Sequence, residues 1–457
     1  MALFTRLAAF GLAAAVCAVV AAPLSASTDR EGDAKAGEQV FYEQAFSATA
    51  SSIPVKLFEV LGDLDPRYAP EALTERYGLL YRDGRELPIG FVTANAMGMD
   101  RLTFNCSLCH TGVVNGKQTP GMPNRDLRVQ EFEEDFLALM ASGALSPERV
   151  IPAVKARHPD FGGIEEANLR LWLGLAKWQA GTRKPSPHRA GPGRFDLMQS
   201  FKTRLKLPAH DFNAQMDIAP LFGQRTIKRY PRDGAIGGDQ DLVRYLIVRI
   251  SGDNTPLVDG RPPQWVRDLN AFMHTFEPPK YPLAVDHAKA ERGRQVFKNT
   301  CSPCHGSYEA YDDRHPNGIV PQAALGTDPN RIRVWDAAAL DYVKHDPIMQ
   351  KLDLQPGVGM MPPSLKGVWA TAPYLHNGSV PTVYDVLNPA TRPATFYRGG
   401  DHLDPVKLGL ATIDKPADDR QFLVDTRISG NGNMGHPFGM PLTEQQRWDV
   451  VEYLKTI

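Results

Sequence analysis

Two five-residue stretches, Cys106-Ser-Leu-Cys109-His110 and Cys301-Ser-Pro-Cys304-His305, follow one pattern, C-x-x-C-H. One helical turn between paired cysteines sets both sulfurs along one edge of a porphyrin, where they add to its vinyl groups. The next residue then passes beneath the ring, so His110 and His305 present imidazole nitrogens to two irons. The pattern is the attachment signature of c-type haem, and the cofactors expected are two covalently bound haem c groups. Two disulfides or a zinc site are the plainer readings of four cysteines, but neither requires a histidine after each pair. The 191 residues between Cys109 and Cys301 (301 − 109 − 1) also far exceed a zinc ribbon's gap of roughly 15 to 20.

The elements that must position these motifs carry an internal repeat. "AKAGEQVF" (34–41) resembles "AKAERGRQVF" (288–297), with Gly-x-Gln-Val-Phe at Gly37 and Gly293. The second copy runs directly into Cys301, whereas 64 residues (106 − 41 − 1) separate Phe41 from Cys106. Further helices are predicted from "SPERVIPAVKARH", with Ser146 at the N-cap and Pro147 at the first helical position. "IEEANLRLWLGLAKW" sets Leu169, Trp172, Leu173 and Ala176 on one face, so Trp172 reads as packing rather than chemistry. At the C-terminus, Thr443 and Gln446 spell a capping box, and Phe297 and Tyr453 are candidates for contact between the last helix and the one preceding Cys301. "LVRYLIVRI" (242–250) fits either a strand or a buried helix, and other strand signals are sparse. The fold expected is mainly α, with two cytochrome c-like haem domains and long irregular loops. The proline-rich "EPPKYPLAVD" (277–286) marks the boundary, giving an N-terminal haem domain over 27–280 and a C-terminal one over 281–457.

Residues 1–26 read as a secretory signal peptide, with Arg6, an apolar run from Leu7 to Ala22 and small residues at Ser25, Ala26 and Ser27. A lipobox reading of Cys17 is disfavoured by the bulky Val16 before it and by the apolar run beyond it. The mature protein is thus expected to be periplasmic or secreted, with no membrane span after signal cleavage. Fifty-one Lys and Arg against fifty-two Asp and Glu leave a formal charge of −1, which provides no field to recruit nucleic acid. The basic run Arg225, Lys228, Arg229 and Arg232 reads as a solvated face, with haem propionates or a docking partner as the alternative.

The two motifs, together with "PPSLKGVWATAPYLHNGSVPTVYDVL" (362–387), resemble the dihaem cytochrome c peroxidase and MauG superfamily. "LPIGF" (87–91), "FNCSLCHTG" (104–112), "GPGRFD" (191–196), "EPPKYP" (277–282) and "NMGHPFG" (433–439) are most similar to its rubber-oxygenase-like branch. The resemblance implies that the haem on His110 binds oxygen and that the haem on His305 is closed by a histidine. Met360, Met361, His376, His402, Met434, His436 and Met440 are candidates, with His436 first because it matches the branch's late Gly-His loop. His376 would then act at the site by orienting a propionate or water. The branch places aromatic residues beside its reactive haem, and here Leu205–Gln224 offers Phe212 and Phe222 but no tryptophan. His188 and His210 lie in stretches that reach the distal side of the first haem only if the fold brings them there.

The activity expected is a haem-dependent oxidoreductase using O2 against an unsaturated apolar small molecule or polymer. The alternatives are a peroxidase reducing H2O2 with electrons from a small redox protein donor, and an electron carrier with both irons closed.

Overall fold

In the computed structural model, which describes residues 31–45, 52–183, 186–252, 255–400, 402–416, 418 and 420–457, both copies of Gly-x-Gln-Val-Phe lie in helices. The expected signal peptide falls outside the described residues. Helix α1 (Ala34–Glu43) is capped by Asp33, whose side chain accepts from Lys35 N and Ala36 N. A hairpin of β1 (Phe91–Ala96) and β2 (Met99–Phe104) then leads into the short helix α2 (Cys106–His110). Helices α3 (Val129–Ser142), α4 (Pro147–Arg157) and α5 (Gly163–Thr182) follow. Next come α6 (Gln240–Ser251), α7 (Gln264–Met273), α8 (His287–Thr300), α9 (Ser302–His305) and the terminal α10 (Glu444–Leu454). Residues 32–457 pack as one unit.

Helices α8 and α10 form the pair expected from the sequence. The capping box of Thr443 and Gln446 is present at the start of α10, and the rings of Phe297 and Tyr453 meet at 5.2 Å. Gly293 makes the crossing close, since a Cβ there would lie 1.8 Å from the Asp449 carbonyl oxygen. Helices α1 and α7 repeat this arrangement. A Cβ on Gly37 would lie 1.9 Å from the Asp268 carbonyl oxygen, and Phe41 meets Phe272 at 5.6 Å. The repeat therefore has a second half that the sequence reading missed. Asp268-Leu-Asn-Ala-Phe272-Met in α7 corresponds to Asp449-Val-Val-Glu-Tyr453-Leu in α10. Both pairs feed one apolar core that includes Phe41, Leu269, Phe272, Phe297, Val450 and Leu454, with Cys106 and Cys301 packed against it.

A separate core joins α3, α4 and α5 to the segments around the hairpin, and Trp172 is buried in it, as its place in the stripe requires. Ser146 and Pro147 occupy the predicted start of α4, although Ser146 makes no side-chain capping bond. The ambiguous stretch 242–250 lies in helix α6, capped by Asp239, whose carboxylate accepts from Leu242 N at 2.8 Å. Helix accounts for 42% of residues and strand for 14%, so the expectation of a mainly α fold gives way to a mixed composition. The strands are short, the longest being the six-residue β1 and β2, and lie in two-stranded sheets and one three-stranded sheet among the described residues, so each is too brief to show much hydrophobic alternation. No helix among the described residues is long and apolar enough to cross a membrane.

The close helix crossing makes a direct prediction. Gly293→Ala should destabilise the protein by about 1–3 kcal/mol through overpacking. Gly174→Ala, in open space within α5, should be neutral or stabilising by up to about 1 kcal/mol. Denaturant titration of the two variants checks the contrast.

Candidate functional site

The first motif is shaped from both ends. Asn105 caps α2, its side-chain oxygen accepting from Ser107 N at 3.1 Å and from Ser107 Oγ at 2.7 Å. Gly90 of "LPIGF" has φ +83°, and a Cβ there would lie 2.3 Å from Leu108 N, so this segment is the surface on which α2 rests. His110 Nδ1 lies 3.0 Å from the Ala219 carbonyl oxygen. Because a carbonyl only accepts, Nδ1 carries the proton and the Nε2 lone pair is free for a metal.

The second motif repeats this solution. His305 Nδ1 lies 3.0 Å from the Pro363 carbonyl oxygen. The Tyr308 hydroxyl donates to His305 O at 2.6 Å and accepts from Leu365 N at 2.8 Å, tying the motif to the same loop. The two supporting loops correspond: Ala219-Pro-Leu-Phe-Gly223 and Pro363-Ser-Leu-Lys-Gly367 each place the accepting carbonyl two residues before a leucine. Nothing in the periodicity of the sequence pointed to them, although the shared x-x-Leu-x-Gly was there to be aligned.

Across from His305 stands His436, with ring centroids 6.3 Å apart and planes at 51°. Imidazole–metal bonds run at about 2 Å and the ring centre lies about 1 Å further back, so a metal held between two rings separates their centres by about 6 Å. The residues present therefore fit an iron at this position. His436 is held with φ +51°, its backbone N–H donating to Leu325 O at 2.7 Å. Gly435 makes this seating close, because a Cβ there would lie 2.3 Å from Thr327 N. Arg392 fastens the loop by donating to Asn433 O at 2.5 Å and Gly435 O at 2.8 Å. Among the described residues no second ring pairs with His110 in this way.

The remaining candidates separate by environment. Met434 and Met440 are exposed. Both ring nitrogens of His402 are engaged, by Tyr397 O at 3.1 Å and the Gln421 amide at 3.3 Å. Met360 and Met361 are buried, just before the Pro363 loop. His188 is half-buried, with Nε2 3.2 Å from Asp211 O, and His210 Nε2 is 2.7 Å from Asp196. Phe222 is buried in the shared core, while Phe212 packs beside His210 with Arg333 over its face.

His376 is buried in a tight loop in which Tyr374 and Val380 exchange backbone bonds and Leu375 and Gly378 have positive φ. Its carbonyl accepts from Asp217 N at 2.9 Å, two residues from the carbonyl that holds His110. Its ring makes no hydrogen bond among the described residues, and it lies beside Arg331 and Arg232. The basic run is only half a solvated face. Arg225 and Lys228 are exposed, but Arg229 is buried against Asp353 and Arg232 is partly buried near Asp217, because each has a carboxylate within the protein to turn towards.

Burial sets the protonation of the site. It pushes His110 and His305 down to about 4, and His376 and His436 down to about 3, so all four imidazoles are neutral at pH 7. Nearby arginines add to the effect at His110, His376 and His436. The four cysteines are free, and burial pushes Cys109 and Cys301 up to about 12, which keeps them protonated rather than thiolate at pH 7.

Residues 359–397, which contain both Pro363 and His376, match the family model described as RoxA-like, cytochrome c-like. That segment is cytochrome c-like, which supports haem c as the cofactor. It is 32% identical over 235 residues to the protein y4iM of Sinorhizobium fredii (strain NBRC 101917 / NGR234), covering 40% of this chain and 52% of that protein. It is 42% identical over 250 residues to y4iJ of the same strain, covering 40% of this chain and 41% of the relative. The chain thus spans about half or less of the length of these relatives. Among solved structures, hydrazine synthase of Kuenenia stuttgartiensis aligns at 15% identity over 54% of this chain and 73% of its own, with a TM-score of 0.28.

The buried imidazoles predict a pH dependence. Their native pKa values lie below the unfolded value of about 6.5, so the unfolded chain binds more protons and stability falls as pH drops through that value towards 4. Denaturant midpoints between pH 7 and 4 should show the loss, and His376→Gln should shallow it.

Proposed function

We propose that this protein is an exported dihaem c-type oxidoreductase. The site on His110 activates oxygen and directs it at an unsaturated apolar substrate, while the site on His305 and His436 stores or relays electrons. The observation that carries this reading is the unequal surroundings of the two motif histidines, one facing a second imidazole at 6.3 Å and the other facing none among the described residues. The repeated set of helix pair, C-x-x-C-H motif and carbonyl-bearing loop supports two haem groups rather than one.

When bound, haem iron supplies one-electron redox chemistry and, where a coordination position is open, a place for oxygen. Cys106 and Cys109 would hold the first group, and Cys301 and Cys304 the second. The Ala219 and Pro363 carbonyls orient the two imidazoles and raise their donor strength through Nδ1–H. His436 closes the second site, which favours electron transfer over ligand binding. Val114, Met122, Leu221 and Phe222 belong to the buried apolar core against which Cys106 packs. His376, neutral and buried near Arg232 and Arg331, would orient a polar group of the bound haem rather than hold the metal.

Oxygen uptake by the purified holoprotein with unsaturated fatty acids, terpenoids and polyisoprene tests the reading. Consumption with a cleaved or oxygenated product is expected from at least one class, and no product from any of them under air would sink the oxygenase assignment. Absorption spectra assign the ligands. His436→Ala should convert one low-spin iron to high spin, whereas His376→Gln should leave both haems attached and that iron low-spin. The opposite pattern would make His376 the ligand.

A peroxidase is the second reading, favoured by a surface cavity of about 490 Å3 beside the second motif, rimmed by Arg294, Lys298, Arg314, Glu309 and Asp312. Such a mixed-charge rim suits docking of a small electron donor. Rapid oxidation of a reduced donor cytochrome by hydrogen peroxide would select this reading.

A further inference from the structure

The interior between the two haem sites holds a concentration of arginine that neither motif explains. Arg194, Arg331 and Arg398 are each 1% exposed, and Arg232 lies beside them. Two carboxylates sit within the group. Asp217 Oδ1 accepts from Arg398 Nη2 at 2.7 Å, and Asp233 pairs with Arg331 at 2.8 Å. Four guanidinium groups thus face these two carboxylates, with Glu131 also acting on Arg194. Arg194 Nη2, Arg232 Nε, Arg331 Nε and Nη1, and Arg398 Nε and Nη1 are buried without a hydrogen-bond partner. Leaving a buried cation's donors unpaired is costly, several kcal/mol being typical for a charge deprived of its partner. A guanidinium's planar fork also suits a carboxylate better than any neutral acceptor.

The place of the cluster says which carboxylates. Asp217 is two residues from Ala219, the acceptor for His110, and Arg232 acts electrostatically on His110 itself. On the other side, Arg232 O accepts from Met361 N at 3.0 Å, two residues before Pro363, the acceptor for His305. Arg194 Nη1 donates to Asn431 Oδ1 at 2.9 Å, and Asn377 donates to Gly430 O and Gly432 O on the loop that ends in His436. Gly378 wraps the pair at the centre, since a Cβ there would lie 2.6 Å from Arg398 Nη1 and 2.8 Å from Asp217 Oδ1.

We propose that Arg194, Arg232, Arg331 and Arg398 form a shared carboxylate receptor that takes propionates from both haem groups and ties the potentials of the two irons to one buried positive field. The proposal rests on the dihaem reading. It assigns these arginines as positioning residues, and it gives the "GPGRFD" segment and the His376 loop one purpose, that of building the receptor.

The test uses holoprotein of wild type and of Arg398→Gln, Arg331→Gln and the matching Lys variants. Haem is counted by pyridine haemochrome assay, and both potentials are measured by spectroelectrochemistry. One haem per chain in the wild type would refute the dihaem reading itself, separately from the receptor. With two haems present, each Gln variant should stabilise ferric iron at one or both haems by about tenfold, a fall of about 59 mV for a one-electron couple, and Lys should restore most of it. A Gln variant that loses a haem retained by its Lys partner supports the receptor too. Unchanged potentials in both Gln variants overturn it, as does haem loss from Gln and Lys variants alike, which marks a packing role. A saturable shift of the wild-type potentials on adding acetate or oleate would show that the arginines bind a free carboxylate instead, and would also overturn it.

Discussion

The rest of the structure depends on a hydrogen bond made twice, from the Nδ1–H of a motif histidine to the backbone carbonyl of a distant loop. Each bond joins a C-x-x-C-H helix to a loop 58 or 109 residues further on and leaves Nε2 as the ring's free lone pair. The surrounding elements serve to hold those two partners in register. Helix pairs α1–α7 and α8–α10 cross at glycines with no room for a side chain, which sets the base of each half. The hairpin β1–β2 and its Gly90 press the first motif into place, and Tyr308 locks the second to its loop.

Given two equivalent halves, chemical difference comes from what faces each imidazole. In the second half, Gly435 and the left-handed conformation at His436 bring a second ring across from His305. The first half has no such ring among the described residues. In c-type haem sites the ligand set rather than the fold decides between electron transfer and small-molecule chemistry, and it is in what faces each imidazole that these two halves differ.

Charge in the interior is the second organising feature. Burial lowers the Arg194 guanidinium to about 9 and raises the Asp217 carboxyl, with Arg398 adding to the fall at Arg194 and opposing the rise at Asp217, so these groups share one low-dielectric region. Such a cluster is costly without anions to pair with it, and its members touch the supports of His110, His305 and His436. The loop around His376, with its prolines and positive-φ residues, is stiff because it forms one wall of this region.

Much of this was legible in the sequence. The C-x-x-C-H spacing determined the cofactor chemistry because covalent attachment needs those residue types within one helical turn. Gly-x-Gln-Val-Phe marked the helices, Thr443 and Gln446 the last cap, and Phe297 and Tyr453 their contact, since local periodicity and capping are written in adjacent residues. The short strands were less visible, as were the inward turn of Arg229 and Arg232 and the second half of the repeat in α7. Each depends on partners far along the chain, and a basic run looks the same whether it meets water or a buried carboxylate. Tertiary structure alone brought His436 opposite His305 and set His376 beside the arginines, because ring-to-ring distance is a property of folded loops and no sequence spacing encodes it.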